Sequence, residues 1–306
     1  MKNKGFKTIS SFYRSESGVS TAVAAALLIG ILVAFMTTIQ VNYMPVWKED
    51  AEYAHMSEVW QDMARLKSNI DILTAGLEIN PDTRIIINSP VRVGGSEIPF
   101  IRSTTTGGTL AVNNDISGLS VVVTTDNAST EYNSGTSLFY TGTVSYRPAN
   151  LHYVEETYCY ENGALIVAQE GRSMMKLSPG IILEKGAGSV NLSVKSVDLE
   201  GERGVMSSNT IEDIRLTSES FTPLFDLTGI EDFFNITSVD LTVYTENTEA
   251  WEDYFRDSAE EINLQEGTDY TLSRGTYAVT FSLAPAGDDL YVEVYKAVIE
   301  IGTGIQ

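Results

Sequence analysis

The feature that most constrains this chain is the run from Ser17 to Trp47, which contains no charged residue. Its centre, Val19 to Val41, is built mainly from Ala, Leu, Ile, Val, Phe and Met. At about 1.5 Å of rise per residue, roughly 20 apolar residues cross a hydrocarbon core about 30 Å thick, so the run is long enough to span a membrane as a helix. Gly30 and the alanines Ala22, Ala24, Ala25 and Ala26 leave small residues where a second helix could pack closely.

The flanks give a direction. Lys2, Lys4, Lys7 and Arg14 precede the run against the single acid Glu16, whereas Lys48 is followed by Glu49, Asp50 and Glu52. The basic flank is expected to stay cytoplasmic and everything after Trp47 to lie outside, with Tyr43 and Trp47 suited to the outer interface. A secretory signal peptide has a shorter apolar core followed by a small-residue cleavage site. Here Gln40-Val41-Asn42-Tyr43-Met44-Pro45 offers no such pattern, and Ala22-Val23-Ala24 lies inside the apolar core.

The segment Arg14-Ser15-Glu16-Ser17-Gly18-Val19-Ser20, leading into a small-residue-rich apolar helix, resembles the N-terminus of archaeal type IV pilin-like proteins. That resemblance implies a short basic leader (a class III signal peptide) cut on the cytoplasmic side near Ser17, Gly18 or Val19, with the helix retained. It also implies two fates for the helix, packing in a filament core or remaining in the membrane. Glu16 and Ser17 stand where a basic residue usually precedes the cut, and Val23 stands in place of the glutamate of bacterial pilins.

Past Pro45, expected to kink or interrupt the helix, apolar residues recur at Val59, Met63, Leu66, Ile70, Leu73 and Leu77 with spacings of four and three. Such a stripe packs a helix on its own domain or on a second subunit. Glu58, Asp62, Arg65, Lys67 and Asp71 between them predict a solvated opposite face. Gly76 and Asn80-Pro81 mark the stop.

From Thr83 onward period-two patterns dominate. The clearest predicted strands contain Val190-Leu192-Val194, Val239-Leu241-Val243, Tyr277-Val279-Phe281 and Leu290-Val292-Val294; weaker ones cover Thr83–Asn88, Leu119–Thr125, Ser137–Tyr146, Tyr153–Tyr160 and Leu165–Gln169. Asn162-Gly163 between two β-prone runs predicts a tight hairpin. One late helix is expected over Glu249–Ile262, with Trp251, Tyr254, Phe255 and Ala259 on its apolar side and a sheet edge or face beneath it. The stretch from Ser103 to Ser137, rich in Thr, Gly, Asn and Ser, reads as containing a long exposed loop. The hairpin, Ser178-Pro179-Gly180 and Trp251-Glu252-Asp253-Tyr254-Phe255 are similar to the ectodomains of uncharacterised archaeal pilin-like surface proteins.

Composition narrows the function classes. A formal charge of −21 would be repelled by nucleic acid or anionic headgroups. The lone Cys159 allows no intramolecular disulfide, thiolate zinc site or CxxC pair, and reads as a buried small hydrophobe. There is no GxxxxGK[ST], strand-linked GxGxxG, HExxH or GxSxG, and only His55 and His152 are available, both read as structural or surface residues. Glu155-Glu156, Glu252-Asp253-Asp257, Glu260-Glu261 and Asp288-Asp289 could supply Ca²⁺ ligands or paired carboxylates, but lack loop-ligand spacing and read as solvated faces. Asn127, Asn191 and Asn235 are candidate N-glycosylation sites.

The expectation is an α+β chain: a basic leader over 1–18, a transmembrane helix over 19–47, an amphipathic helix over 48–80, and a mainly antiparallel, sandwich-like β ectodomain over 81–306 with a further division near 180. No catalytic residue, cofactor, metal or small-molecule substrate is expected. The expected partners are the membrane, other copies through the N-terminal helix, and cell-envelope proteins. A filament subunit, a solitary tethered adhesin and an extracytoplasmic hydrolase using carboxylates are the competing functions.

Overall fold

The structure is a computed structural model that describes residues 16–95, 97–98, 101–126, 129–133, 140–226 and 235–303. Contacts divide the chain into Met1–Asp50 and Ala51–Gln306. The described part of the first unit is helical. Helix α1 (Glu16–Thr38) leads into a π-helical stretch (Ile39–Tyr43) and then α2 (Met44–Ile79). Apolar side chains are exposed all round α1, from Val23 and Leu27 through Ile31 and Phe35, and the helix is long and apolar enough to cross a membrane.

Of the two expected outcomes at Pro45, a break in the helical run is excluded, and the irregularity falls in the π-helical stretch just before it. A proline ring clashes with the carbonyl four residues back, here Val41. That carbonyl lies inside the π-helical stretch, where Met44 N–H donates to Ile39 O five residues behind it. The wider turn gives the ring room.

The second unit begins on α2, which ends near the predicted stop, with Asn80 N donating to Gly76 O at 3.0 Å. The strands that follow are β1 (Ile86–Arg92), β2 (Glu97–Ile98), β3 (Ile101–Thr105), β4 (Gly108–Val112), β5 (Ser117–Thr125) and β6 (Ser129–Asn133). Next come β7 (Thr143–Pro148), β8 (Thr157–Glu161), β9 (Ala164–Gln169), β10 (Arg172–Leu177), β11 (Ile181–Gly186), β12 (Ser189–Glu200) and β13 (Gly204–Ser208). The chain continues through β14 (Ile211–Asp226), β15 (Ile236–Thr245), helix α3 (Thr248–Glu261), β16 (Tyr270–Arg274), β17 (Ala278–Leu283) and β18 (Asp289–Thr303).

Among the described residues six strands form one sheet in the order β10-β9-β8-β7-β4-β13. A larger sheet runs β1-β14-β18-β15-β17-β16, with β12 joining β18 and β5 joining β15. Among the described strands pairing is antiparallel except between β12 and β18, which run parallel in unbroken register from Ser189↔Asp289 to Glu200↔Glu300. Residue 180 falls where the chain passes from β10 of the smaller sheet to β11 of the larger one, and β13 later returns to pair with β4.

The parallel pair also divides the core. Val190, Leu192 and Val194, with Leu290, Val292 and Val294, face a cluster shared with β5, β15, β17 and α3. Beyond residue 196 the buried positions change parity: Val197, Leu199, Ala297, Ile299 and Ile301 are buried, and all but Ala297 belong to a second cluster with α2 and the smaller sheet. Successive strand residues point to opposite faces, so each of these strands serves one core with one face and the other core with the other.

The stripe Val59, Met63, Leu66, Ile70, Leu73 and Leu77 is completely buried within this unit, which makes it an intramolecular packing face. The opposite face is less solvated than expected. Asp62 is buried, where it accepts from Arg92 Nε and Arg92 N, each at 3.1 Å, and Lys67 is nearly buried beside Asp71. The expected loop between Ser103 and Ser137 is corrected too. Its described part is mostly strand, with Leu110, Val112, Leu119, Val121 and Val123 buried; residues 127–128 and 134–137 lie outside the described residues.

Candidate functional site

An open groove of about 900 Å³ lies in the second unit between α2, the β8–β10 end of the smaller sheet and α3. Helical periodicity builds its first wall, because Tyr53, Ser57 and Trp60 fall one and two turns apart on the side of α2 away from the buried stripe. Two ring pairs form the floor. Tyr53 meets Tyr153 edge-on with centroids 5.4 Å apart, and Trp60 meets Tyr158 at 5.8 Å. Tyr158 donates to Glu156 Oε2 at 3.1 Å, and burial followed by the Glu156 charge holds its phenol well above the usual range.

The far wall comes from β10, whose outward residues Arg172, Met174 and Lys176 alternate with inward ones. Among the described residues neither Arg172 nor Lys176 has an ion-pair partner, in a chain where acids outnumber bases two to one. Of the groove's carboxylates, Glu156 accepts from Tyr158 and two more are engaged, while Glu170 stands exposed beside Arg172. Glu249 accepts from Ser173 N at 3.2 Å, and Asp253 pairs with Arg256 at 3.2 Å. The groove therefore presents aromatic surface beside Arg172, Lys176 and the carboxylate of Glu170, a mixed lining suited to binding.

Below the groove, Glu161 ends β8 fully buried. It accepts from Trp251 Nε1 at 2.5 Å, Thr245 Oγ1 at 2.6 Å and Asn247 Nδ2 at 3.3 Å. No cation offsets its charge, so burial outweighs these bonds and pushes its carboxyl up to about 7. Asn247 precedes α3 where a capping side chain would normally sit, but its amide is turned to Glu161. Ser173 Oγ of β10 takes the free Ala250 N–H instead, at 3.1 Å.

A second buried carboxylate, Glu52, sits at the very start of the unit. Its oxygens accept from Leu151 N at 3.1 Å and from His152 N and Tyr153 N at 2.7 Å each. His55, one turn further, is fully buried with Nε2 2.9 Å from the Tyr146 hydroxyl, which in turn donates to Val93 O at 3.3 Å. Burial lowers its pKa, consistent with a neutral ring.

The other sequence candidates are dispersed. Glu252 pairs with Arg256 and Arg274, Asp288 pairs with Lys185, and Glu260 and Glu261 are exposed. Among the described residues no group of three or more His, Cys, Asp or Glu side chains is placed to hold a metal ion. Cys159 is buried and its thiol is pushed far up by burial. Asn191 on β12 and Asn235 before β15 are exposed, while Asn127 lies outside the described residues. Ser17, Gly18 and Val19 fall in the first turns of α1.

The model of a family of unknown function, DUF7289, matches residues 17–300. The chain belongs to the DUF7289 family. No curated protein and no solved structure matches it. In this DUF7289 protein the match opens at Ser17 and continues into β18, so the apolar helix and the β-rich body are matched as one piece. The groove residues Tyr53, Trp60, Tyr153, Arg172 and Lys176 all fall within it.

Proposed function

We propose that this DUF7289 protein is a type IV pilin-like surface protein, held in a membrane by its N-terminal helix and displaying a sandwich-like β domain on the outer side. The observation that carries the reading is the contrast along one helical run. Up to about residue 47 its apolar side chains are exposed on every side, whereas the stripe from Val59 to Leu77 is buried against its own sheets. Only the first part is left to meet lipid or another copy.

Sequencing the N-terminus of the native protein from membranes and from sheared surface filaments tests both processing and assembly. A mature end near Gly18 or Val19 in the filament fraction is the expected result for a subunit. An intact Met1 in every fraction overturns the leader. A second reading, a solitary tethered adhesin or envelope-binding module without enzymatic activity, is favoured by the aromatic groove with its unpaired Arg172 and Lys176. Recovery of the protein only in filaments counts against it.

A further inference from the structure

The loop between β7 and β8 displays an apolar tip that nothing in the domain covers. Leu151 is 83% exposed, and Val154 and Tyr53 beside it are exposed as well. Unlike a free loop tip, this one is fixed. Three successive backbone N–H groups, from Leu151 to Tyr153, converge on the Glu52 carboxylate. The Asn150 amide closes the loop onto Val154 O at 3.0 Å, and Tyr153 packs its ring on Tyr53. Charge-assisted bonds of this kind order a segment strongly. Here they hold an exposed leucine out towards solvent.

Covalent connection limits what can lie opposite. Glu52 is five residues from Trp47, the end of the uncharged run, and five residues reach at most about 17 Å in any conformation. The tip is bonded directly to Glu52, so it is tethered close to whatever surface receives the end of that run. Resting on the reading that the run lies in a membrane, we propose that the Leu151 loop inserts into the lipid interface on that side, as a second contact of the domain with the bilayer. Glu49, Asp50 and the overall charge of −21 rule out attraction to anionic headgroups as its basis, so the contact is apolar and insensitive to salt.

The fold supplies its own control. Ile79 is 87% exposed at the other end of α2, 27 residues from Glu52 and hence about 40 Å along the helix. Full-length Leu151→Cys, Ile79→Cys and Leu28→Cys, each in a Cys159→Ala background, are labelled with an environment-sensitive fluorophore and reconstituted into phosphatidylcholine vesicles carrying nitroxide quenchers at shallow depth, for positions 151 and 79, and at the acyl-chain centre, for position 28. The two surface positions leave the core untouched. The expected result is strong quenching at positions 28 and 151, none at 79, and no change at 151 between low and high salt. Quenching at 28 without quenching at 151 overturns the inference and leaves the anchor standing. Absence of quenching at all three overturns both. Equal quenching at 151 and 79 overturns the inference by showing adsorption over the whole surface. A label at 151 that is shielded from water yet unquenched shows a second copy in place of lipid, and overturns it too.

Discussion

Replacing Glu161 by Gln tests whether one buried carboxylate with a raised pKa governs how this domain responds to pH. The folded protein holds the Glu161 proton up to about pH 7, against an ordinary value of 4.5. A folded-state pKa raised above the unfolded one contributes stability that is fully present below about pH 4.5 and is lost as pH rises through 7. At about 1.4 kcal/mol per unit, the loss is about 3 kcal/mol between those limits. Gln keeps an oxygen for Trp251 Nε1 and Thr245 Oγ1, and Asn247 accommodates the new amide by turning its own. The charge is gone. Urea unfolding of full-length wild type and Glu161→Gln in micelles, followed by Trp fluorescence from pH 4.5 to 8, is the assay. The variant is expected to match wild type at the acid end and to exceed it by about 3 kcal/mol at pH 8. Reading the difference removes other titrations, including that of buried His55, which acts in the opposite sense. A gap that stays constant across the range refutes the reasoning. Glu161→Ala serves as a check on geometry: it strands two buried donors and one half-buried donor and is expected to cost about 2–5 kcal/mol at every pH.

Three further outcomes are expected. Glu52→Ala removes the acceptor of three loop amides, costing about 2–3 kcal/mol; amide exchange at Leu151, His152 and Tyr153 should accelerate far more than exchange in β12. Gly108→Ala would drive a methyl group into the Tyr146 ring, which is fully buried and tied to His55, so it should destabilise by about 1–3 kcal/mol in thermal or urea unfolding. Leu66→Ala, in the middle of the buried stripe, should cost about 2–5 kcal/mol by the same measurement while leaving membrane association in flotation assays unchanged.

Much of the architecture was legible in the alternation of residue types. Val239-Leu241-Val243 and Leu290-Val292-Val294 lie in strands as read, the Asn162-Gly163 turn carries positive φ at both residues, and α3 starts and stops within a residue of its predicted ends. What escaped depends on distant partners. The parallel ladder joins residues 100 positions apart, and no local pattern announces it. β10 and β13 lack a continuous apolar face, because they are edge strands of the smaller sheet. Thr83–Asn88 begins as a strand only at Ile86, since Thr83 N still closes the turn onto Asn80 O.

The site was harder to read for the same reason. Glu52 and Asp62 looked like solvated helix positions, and only the tertiary fold supplies the amides and the Arg92 guanidinium that allow them to be buried. Glu161 next to a hairpin turn gave no sign that Trp251, 90 residues away, would donate to it. One signal was available: Tyr53 and Trp60 are large aromatic residues on a helix face predicted to meet water.

The position of β18 has a consequence for when the protein can fold. This strand, at the end of the family match, bonds to β14 and β12 and contacts β15, so the larger sheet has no centre until it is made. On the proposed topology the domain would be delivered in chain order from α2 onward, so α2, β1 and the smaller sheet would wait without a completed partner. The acidic composition is well suited to that interval, because a strongly like-charged chain resists aggregation while its last strand is still being delivered.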